Sequence, residues 1–557
     1  MTDESPLLKS LKKEYSRATL TRSTWQDHWQ QLRRWCRPNS PDFSSSTTSP
    51  LKGDRRNDEI YDSTAPWALE QFASGLSSVL TDMSTRWFGI AVQGVPMKEL
   101  SREENQFLED VSERIYFEFA LPDSNTYTTL NENYLEIGAF GTCCQYQYWD
   151  FNDRMTKFRA CPLADCFFIE NAQGVIDKVF YRRTFTTRQL LDEWPHLEQE
   201  FSDDPGKFKE ERDWEIVHAV FPREERNIDS FLAKNKKFAA FYFSPDLPVV
   251  IEESGFDYFP YNTARWTKIA GETYGRSPGM NVLPDIRTVN QMQKELLVSA
   301  QLANFPPIVA EDESLLTPLA DTKGSNLTLT PKSIIWKEQG AEFPQALNSG
   351  MQPQLTLEML EGLRESITRA FFVNHLIRAK KKERQTTTEI LDERGEMMRQ
   401  LQPQFGRINS ELLDNMIKTS YFLLDNANEL PEPPSSLAGR KLEIVYFSPA
   451  AKAQLGTKAQ NISGFLQDIT PLINVEPAIT QEIEWSEIMS EYAIARDIPV
   501  KVIKSPEQRE SEKAAAQEQA AQQQQMEAAP AMAGAVKDIA DAREKDPNLI
   551  PELSGLL

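Results

Sequence analysis

At 557 residues the chain is long enough for several domains, and 61 basic against 83 acidic residues give it a net charge of −22. That balance argues against a sequence-specific DNA reader, which carries a basic face, but not against a protein that encloses DNA without gripping it, since an acidic wall repels phosphate. Five cysteines, an odd count with Cys143 and Cys144 adjacent, read as reduced cytosolic thiols, the first residues lack the basic and apolar regions of a signal peptide, and no apolar run approaches the ~20 residues of a bilayer span.

In chain order, residues 5–36 read as an amphipathic helix whose stripe holds Leu11, Tyr15, Ala18, Trp25, Trp29, Leu32 and Trp35, ended by Arg37-Pro38. Residues 39–57 are a Ser/Thr/Pro-rich loop. Asp62 or Ser63 is placed to cap a helix running to about Leu80. Two more helical patterns occupy 101–120 and 124–139. The period then changes. Gln145–Trp149 alternates, and Cys166–Ile169 meets Val175–Arg183 across Asn171-Ala-Gln-Gly174, a hairpin signal. A short helix at Thr187–Trp194 and strands at Trp214–Phe221, Phe238–Phe243 and Leu247–Glu252 complete a mixed α+β domain.

A long helix is expected to open at Pro284, a good first-turn residue, and to stop at Pro306-Pro307. Ile286, Val289, Met292, Leu296, Ala300 and Ala303 form its stripe. Short strands are expected at Ile308-Val309 and Leu327–Thr330. In the next helix Leu357, Leu360, Leu363, Ile367, Ala370 and Phe371 make one apolar face. It gives way to Arg378-Ala-Lys-Lys-Lys-Glu-Arg384, a basic run in an acidic chain. Such a run is ordinarily a solvated loop; here it can also point at a polyanion. Thr386-Thr-Thr-Glu389 has capping-box spacing, and Ile390, Met397, Leu401, Phe405, Ile408, Leu412, Met416 and Phe422 carry a stripe to about Asn426. Pro403 and Gly406 predict a kink. Residues 451–500 read as short helices broken by prolines. The Ala/Gln/Glu-rich stretch from Ser505 to about Met526 fits either a disordered tail or a helix.

Several blocks carry a resemblance. Ile60-Tyr-Asp-Ser-Thr64 with Trp87-Phe88, Ser254-Gly-Phe-Asp-Tyr-Phe-Pro260 with Arg265-Trp266, Gly271-Glu-Thr-Tyr-Gly-Arg-Ser-Pro278 running into Leu283-Pro-Asp-Ile286, Thr386–Arg394 and Tyr446-Phe-Ser-Pro449 resemble, in order, blocks of the portal (head-to-tail connector) proteins of short-tailed, T7-like bacteriophages. The resemblance spans about residues 5–505. It implies a mainly helical α+β portal fold: N-terminal helices and wing over 1–280, a stem helix at 281–304, a clip at 305–352, a second stem helix at 353–372, a tunnel loop at 373–386, a kinked long helix and wing at 387–450, a crown at 451–505, and a tail or barrel at 506–557. It also implies a dodecameric ring at one capsid vertex that conducts double-stranded DNA during packaging and ejection. The partners implied are the major capsid protein, the terminase large subunit during packaging and the tail adaptor afterwards. The protein would belong to the virion and, during assembly, to the host cytoplasm. Arg378, Lys380, Lys381, Lys382 and Arg384 would be the DNA-facing residues of the tunnel loop.

No catalytic constellation stands out, and no cofactor is expected. Gly271–Ser277 has neither the spacer nor the lysine of a P-loop, so the chain is not read as the packaging ATPase. His28, His196, His218 and His375 are scattered. Cys161-Pro-Leu-Ala-Asp-Cys166 is half a zinc spacing without a second pair, which favours buried free thiols. Competing readings are a DNA-processing enzyme such as a nuclease, and a helical tail-adaptor or scaffold protein.

Overall fold

The computed structural model describes residues 5–43, 57–96, 99–200, 212–224, 226, 232–305, 308–312, 334–338, 353–373, 400–447 and 459–469, with a few single positions beyond. The chain divides into two compact units. The first holds Met1–Ala91, Glu109–Glu432 and Leu442–Lys452; the second holds Val92–Leu108, Pro433–Lys441 and Ala453–Leu557. Helix and sheet are both present, as the sequence predicts.

In the first unit, α1 (Pro6–Cys36) starts where Ser5 accepts a hydrogen bond from the Leu8 amide at 3.2 Å, with Pro6 in the first turn, where its missing N–H costs nothing. Its stripe buries Leu8, Leu11 and Ala18 against Phe167, Phe180, Val217, Ala219, Phe241 and Phe243. These belong to a five-stranded antiparallel meander, β4 (Cys166–Glu170), β5 (Ile176–Thr186), β6 (Asp213–Pro222), β7 (Phe238–Phe243) and β8 (Val250–Phe256), paired in that order. Alternation then decides the other face. Trp214 and Ile216, of opposite parity to Val217 and Ala219, pack with Leu190 of α5 (Thr187–Glu193), with Trp194 just past its end and with Leu197 of α6 (His196–Glu200). α5 carries a reciprocal capping box between Thr186 and Gln189.

The second sheet is β3 (Met155–Ala160), β2 (Thr142–Asp150) and β9 (Tyr261–Arg265). β2 is read on both faces. Gln145 and Gln147 turn to helices: Gln145 accepts from Asn133 of α4 (Thr126–Phe140) at 2.7 Å, and Gln147 donates to Ser420 at 2.7 Å. Cys144 and Tyr146 turn the other way. There Tyr146 and Tyr261 meet His218, which stacks on Tyr242 at 4.3 Å and hydrogen-bonds the Tyr261 hydroxyl at 2.6 Å. α2 (Thr64–Leu80) and α3 (Arg102–Ala120) lie where helices are expected, while β1 (Phe88–Val92), paired with β12 (Leu442–Tyr446), has no counterpart in the sequence reading. Among the described residues five tryptophans, Trp29, Trp87, Trp194, Trp214 and Trp266, are core, while Trp67 and Trp485 are exposed; Trp29 is fully buried among Trp25, Phe43 and Tyr274 and donates to the Phe140 carbonyl at 3.2 Å.

One sequence expectation is corrected. The long helix α7 runs Pro278–Asn304, not from Pro284; Ser277 caps it and Pro284 lies inside. Ser277 offers the stronger stop, since its hydroxyl accepts from the Met280 amide at 3.0 Å while donating to the Ala139 carbonyl at 2.8 Å. The later helix passes Pro403 and Gly406 without leaving the helical state. Its irregularity is a π turn at Asn409–Leu413, before α9 (Asp414–Asn426). The expected strand at 308 exists as β10 (Ile308–Asp312), but its parallel partner is β11 (Ile334–Glu338); residues 327–330 lie outside the described residues.

The second unit includes the 101 helix start, where Ser101 and Glu104 exchange hydrogen bonds at 2.8 and 3.2 Å, the pair Arg440–Glu104 at 3.7 Å, and a helix over 459–469. Most of the expected crown and all of the expected tail lie outside the described residues. Among the described residues no helix is long and apolar enough to cross a membrane.

Candidate functional site

α7 and α8 (Pro353–Ala370) pack together. Ser366 of α8 donates to Asp285 of α7 at 2.9 Å, and Arg364 reaches Gln293 at 3.3 Å. Leu360, Ile367 and Phe371 are buried on the inner face of α8, as Ile286 and Val289 are on α7. The Ile60–Thr64 segment is tied to this pair from both sides. Asn290 accepts from the amides of Tyr61 (2.7 Å) and Asp62 (3.2 Å) and donates to the Glu59 carbonyl at 2.9 Å. Asp62 receives Arg364 at 2.6 and 2.9 Å and the Thr64 amide at 2.9 Å. Burial would raise the Asp62 carboxyl, but the Thr64 hydrogen bonds and the Arg364 charge outweigh it and hold the group below its usual range.

The Gly271–Pro278 stretch is a crossing point between the root of α7 and the α4–β2 corner. Gly141 has φ +84°, which favours glycine, and a Cβ on Gly275 would stand 2.3 Å from the Gly141 carbonyl oxygen. The two backbones touch, and the Gly275 amide donates to Thr142 Oγ1 at 2.8 Å. Tyr274 is buried between Trp29 and Phe168. Arg276 lies 4.5 Å over Trp25 and pairs with Glu272. Beside this crossing, Arg265 is 3 % exposed. It donates to Glu411 of the π turn at 2.7 and 3.1 Å and to the carbonyls of Gly174 and Thr273, and it pairs with Glu170. π turns re-aim one side chain of a helix, and here the turn carries the carboxylate that meets Arg265.

The far half of the pair differs from its root. Beyond Asn290, α7 buries no further residue among those described, and Leu297, Val298 and Phe305 are 43, 44 and 49 % exposed. On α8, Leu357 and Met359 are 48 and 53 % exposed. Among the described residues, Leu297 and Val298 of α7 and Leu357 and Met359 of α8 thus leave an apolar flank exposed. The basic run expected to face DNA, Arg378, Lys380, Lys381, Lys382 and Arg384, lies outside the described residues, which stop at Val373 and resume at residue 400. Asn290, Arg364 and Glu411 carry no sequence signal of their own. Each is one polar residue on a helix, and its partner is 71 to 302 positions away.

A family profile described as bacteriophage head to tail connecting protein matches residues 8–503. The chain belongs to that family. As a connector it is a structural component of a phage particle, with capsid and tail as partners, and not an enzyme. The connector is similar to a portal protein of Salmonella phage epsilon15, 25 % identical over 565 residues, covering 99 % of this chain and 98 % of that protein. It is also similar to a probable portal protein of Bordetella phage BPP-1, 24 % identical over 499 residues, covering 87 % and 86 %. Both phages are short-tailed. The family match takes in all five blocks: the Ile60 and Gly271 segments that hold the connector's helix pair, the Arg265 block, the Thr386 block and Tyr446–Pro449.

Proposed function

We propose that this connector forms a dodecameric ring at one capsid vertex and that its bore passes double-stranded DNA inward during packaging and outward during ejection. The observation that carries the reading is the paired α7 and α8, rooted by Asn290, Arg364 and Gly275 and ending in the exposed apolar flank of Leu297, Val298, Leu357 and Met359. Side-to-side contacts that close on themselves cover such a flank in every copy. The 305–352 segment joins these two helices and is the docking surface, first for the terminase large subunit and later for the tail adaptor. Arg378, Lys380, Lys381, Lys382 and Arg384 repeat around the bore and offer sequence-independent contacts to phosphate.

End-on projection images of the purified protein test the ring: views with a central hole and one fixed subunit number are expected, and particles without a hole would sink the proposal. The loop is tested separately. Lys380→Ala, Lys381→Ala and Lys382→Ala together should leave rings intact and allow packaging to begin, while full-length genome is retained poorly. Wild-type genome content in the triple variant would make the run a solvated turn.

A further inference from the structure

All five cysteines are free and buried. Three of them gather at one point. β2 and β3 pair antiparallel as far as Gln145 opposite Ala160. One position further, Cys144 stands opposite Cys161, whose amide donates to the Cys144 carbonyl at 2.9 Å. Directly opposed residues of an antiparallel pair have Cα atoms ~4.5–5.5 Å apart, inside the ~4.4–6.8 Å that a disulfide spans. Cys166 follows the 3₁₀ turn Leu163–Asp165 and brings its sulfur 3.7 Å from the Cys161 carbonyl. The Cys161 thiol donates to the Arg159 carbonyl at 3.8 Å, and the three sulfhydryls lie near enough to influence one another's ionisation. Cys143, the neighbour of Cys144, has the opposite strand parity and faces away.

The surroundings single out Cys161. Burial pushes the thiols of Cys144 and Cys166 up. At Cys161 burial acts the same way, but hydrogen bonds from the other two thiols and from Tyr181, with the Arg159 guanidinium nearby, reverse the direction. Arg159 lies over the rings of Tyr146 and Tyr181 at 5.2 and 5.8 Å. Among the described residues no group of His, Cys, Asp and Glu is arranged to hold a metal ion.

We propose that Cys144, Cys161 and Cys166 form an oxidisable thiol site, kept reduced in the host cytosol and closed to a Cys144–Cys161 disulfide by peroxide once the particle is outside the cell. The Cys161 thiolate attacks one peroxide oxygen and becomes a sulfenic acid, releasing hydroxide, which takes up a proton as water. The Cys144 thiol then attacks the Cys161 sulfur, forming the S–S bond, and the sulfenic oxygen leaves as a second water. Two thiols lose two protons and two electrons, and one peroxide becomes two waters. The bond closes the loop over residues 145–160 and fixes β2 to β3 at the centre of the first unit, restricting the unfolded chain. Reducing compartments keep such a pair open and particle exteriors do not. Cys166, in contact with both, is the alternative partner.

The test uses the full-length assembled protein, purified reduced, treated with hydrogen peroxide, quenched, unfolded, alkylated and mapped by mass spectrometry with fragmentation between Cys143 and Cys144. Exposed Met83 reports the peroxide dose through its sulfoxide. The expected result is a cross-linked Cys144–Cys161 peptide lacking two hydrogens, with Cys36 and Cys143 still alkylated and a higher melting temperature than the reduced protein. Cys144→Ser should move the bond to Cys161–Cys166, and Cys161→Ser should abolish it. Full alkylation of all three thiols at a dose that oxidises Met83 would overturn the proposal, as would cross-linking through Cys36 or Cys143. Mapping of the wild-type protein decides this even where a serine variant fails to fold.

Discussion

Arg265→Met isolates the energetics of the buried network at the root of the helix pair. Arg265 is 3 % exposed, and Glu411 receives both its side chain and its backbone amide, the latter at 3.0 Å. Removing one partner of a buried pair costs ~3–5 kcal/mol, because the remaining charge is desolvated without compensation. Two features place the loss near the lower end. Glu170 keeps Lys268 at 2.7 Å, and the Glu411 side chain remains 21 % exposed with Arg407 at 3.6 Å. About 3 kcal/mol is therefore expected. Unfolding entropy is about 2.1 cal/mol/K per residue, so a cooperative body of several hundred residues shifts by ~1 °C per kcal/mol, and the melting temperature should fall by roughly 3 °C. Glu411→Gln keeps an acceptor and should lose about 1 kcal/mol. The double variant Arg265→Met with Glu411→Met removes both charges and should recover most of the deficit. Differential scanning calorimetry of the four proteins is the assay. Arg265→Met melting within about 1 °C of wild type, or a double variant no better than Arg265→Met, would refute the assignment of Glu411 as the compensating charge.

Gly275→Ala places a methyl 2.3 Å from the Gly141 carbonyl oxygen and 2.9 Å from Arg265 Cβ, so a loss of ~1–3 kcal/mol or more in thermal unfolding is expected, whereas Gly362→Ala, with nothing within 4 Å, should be neutral or slightly stabilising. Burial, with Arg159 and Arg183 nearby, pushes His218 down to about 3 from 6.5. The folded value lies below the unfolded one, so its stabilisation is complete above the unfolded value and is lost as the pH falls toward the folded one, by ~2 kcal/mol at about pH 5. His218→Gln should flatten that part of the acid limb in melting curves, and an unchanged slope would contradict a neutral buried ring. Leu357→Asp with Met359→Asp changes residues already exposed in the protomer, so secondary structure by circular dichroism should be retained while light scattering shows loss of the assembled species.

The helices and the meander were legible because each follows a local period. α1, α2, α4, β4, β5 and β7 lie where capping residues, stripes and alternation put them. The start of α7 was missed because Pro284 resembles a first-turn proline, while Ser277 gains its weight from the Ala139 carbonyl, which only the fold supplies. Pro403 and Gly406 are readable in the sequence as a point of irregularity, but the π turn at Asn409–Leu413 is not: its Glu411 meets Arg265, and no window of sequence around 409 contains that residue. The same holds at the helix pair. The stripe of α8 was readable, but Asn290 and Arg364 are ordinary polar residues until the Ile60–Thr64 segment is laid across them.

The separation between partners has a further consequence, in the order of synthesis. Glu411 follows Arg265 by 146 residues, Ser420 follows Gln147 by 273, and Arg364 follows Asp62 by 302. At about 5–20 residues per second, Arg265 leaves the ribosome roughly 7–30 s before its carboxylate partner exists. Until then β2 shows an uncovered amide-bearing face, and the guanidinium lacks the charge it is buried against. A chain terminated before residue 411 keeps those defects permanently. It exposes to chaperones and proteases the surfaces that a finished protomer hides. The late contacts thus act as a completeness check on each copy before it is offered to the particle.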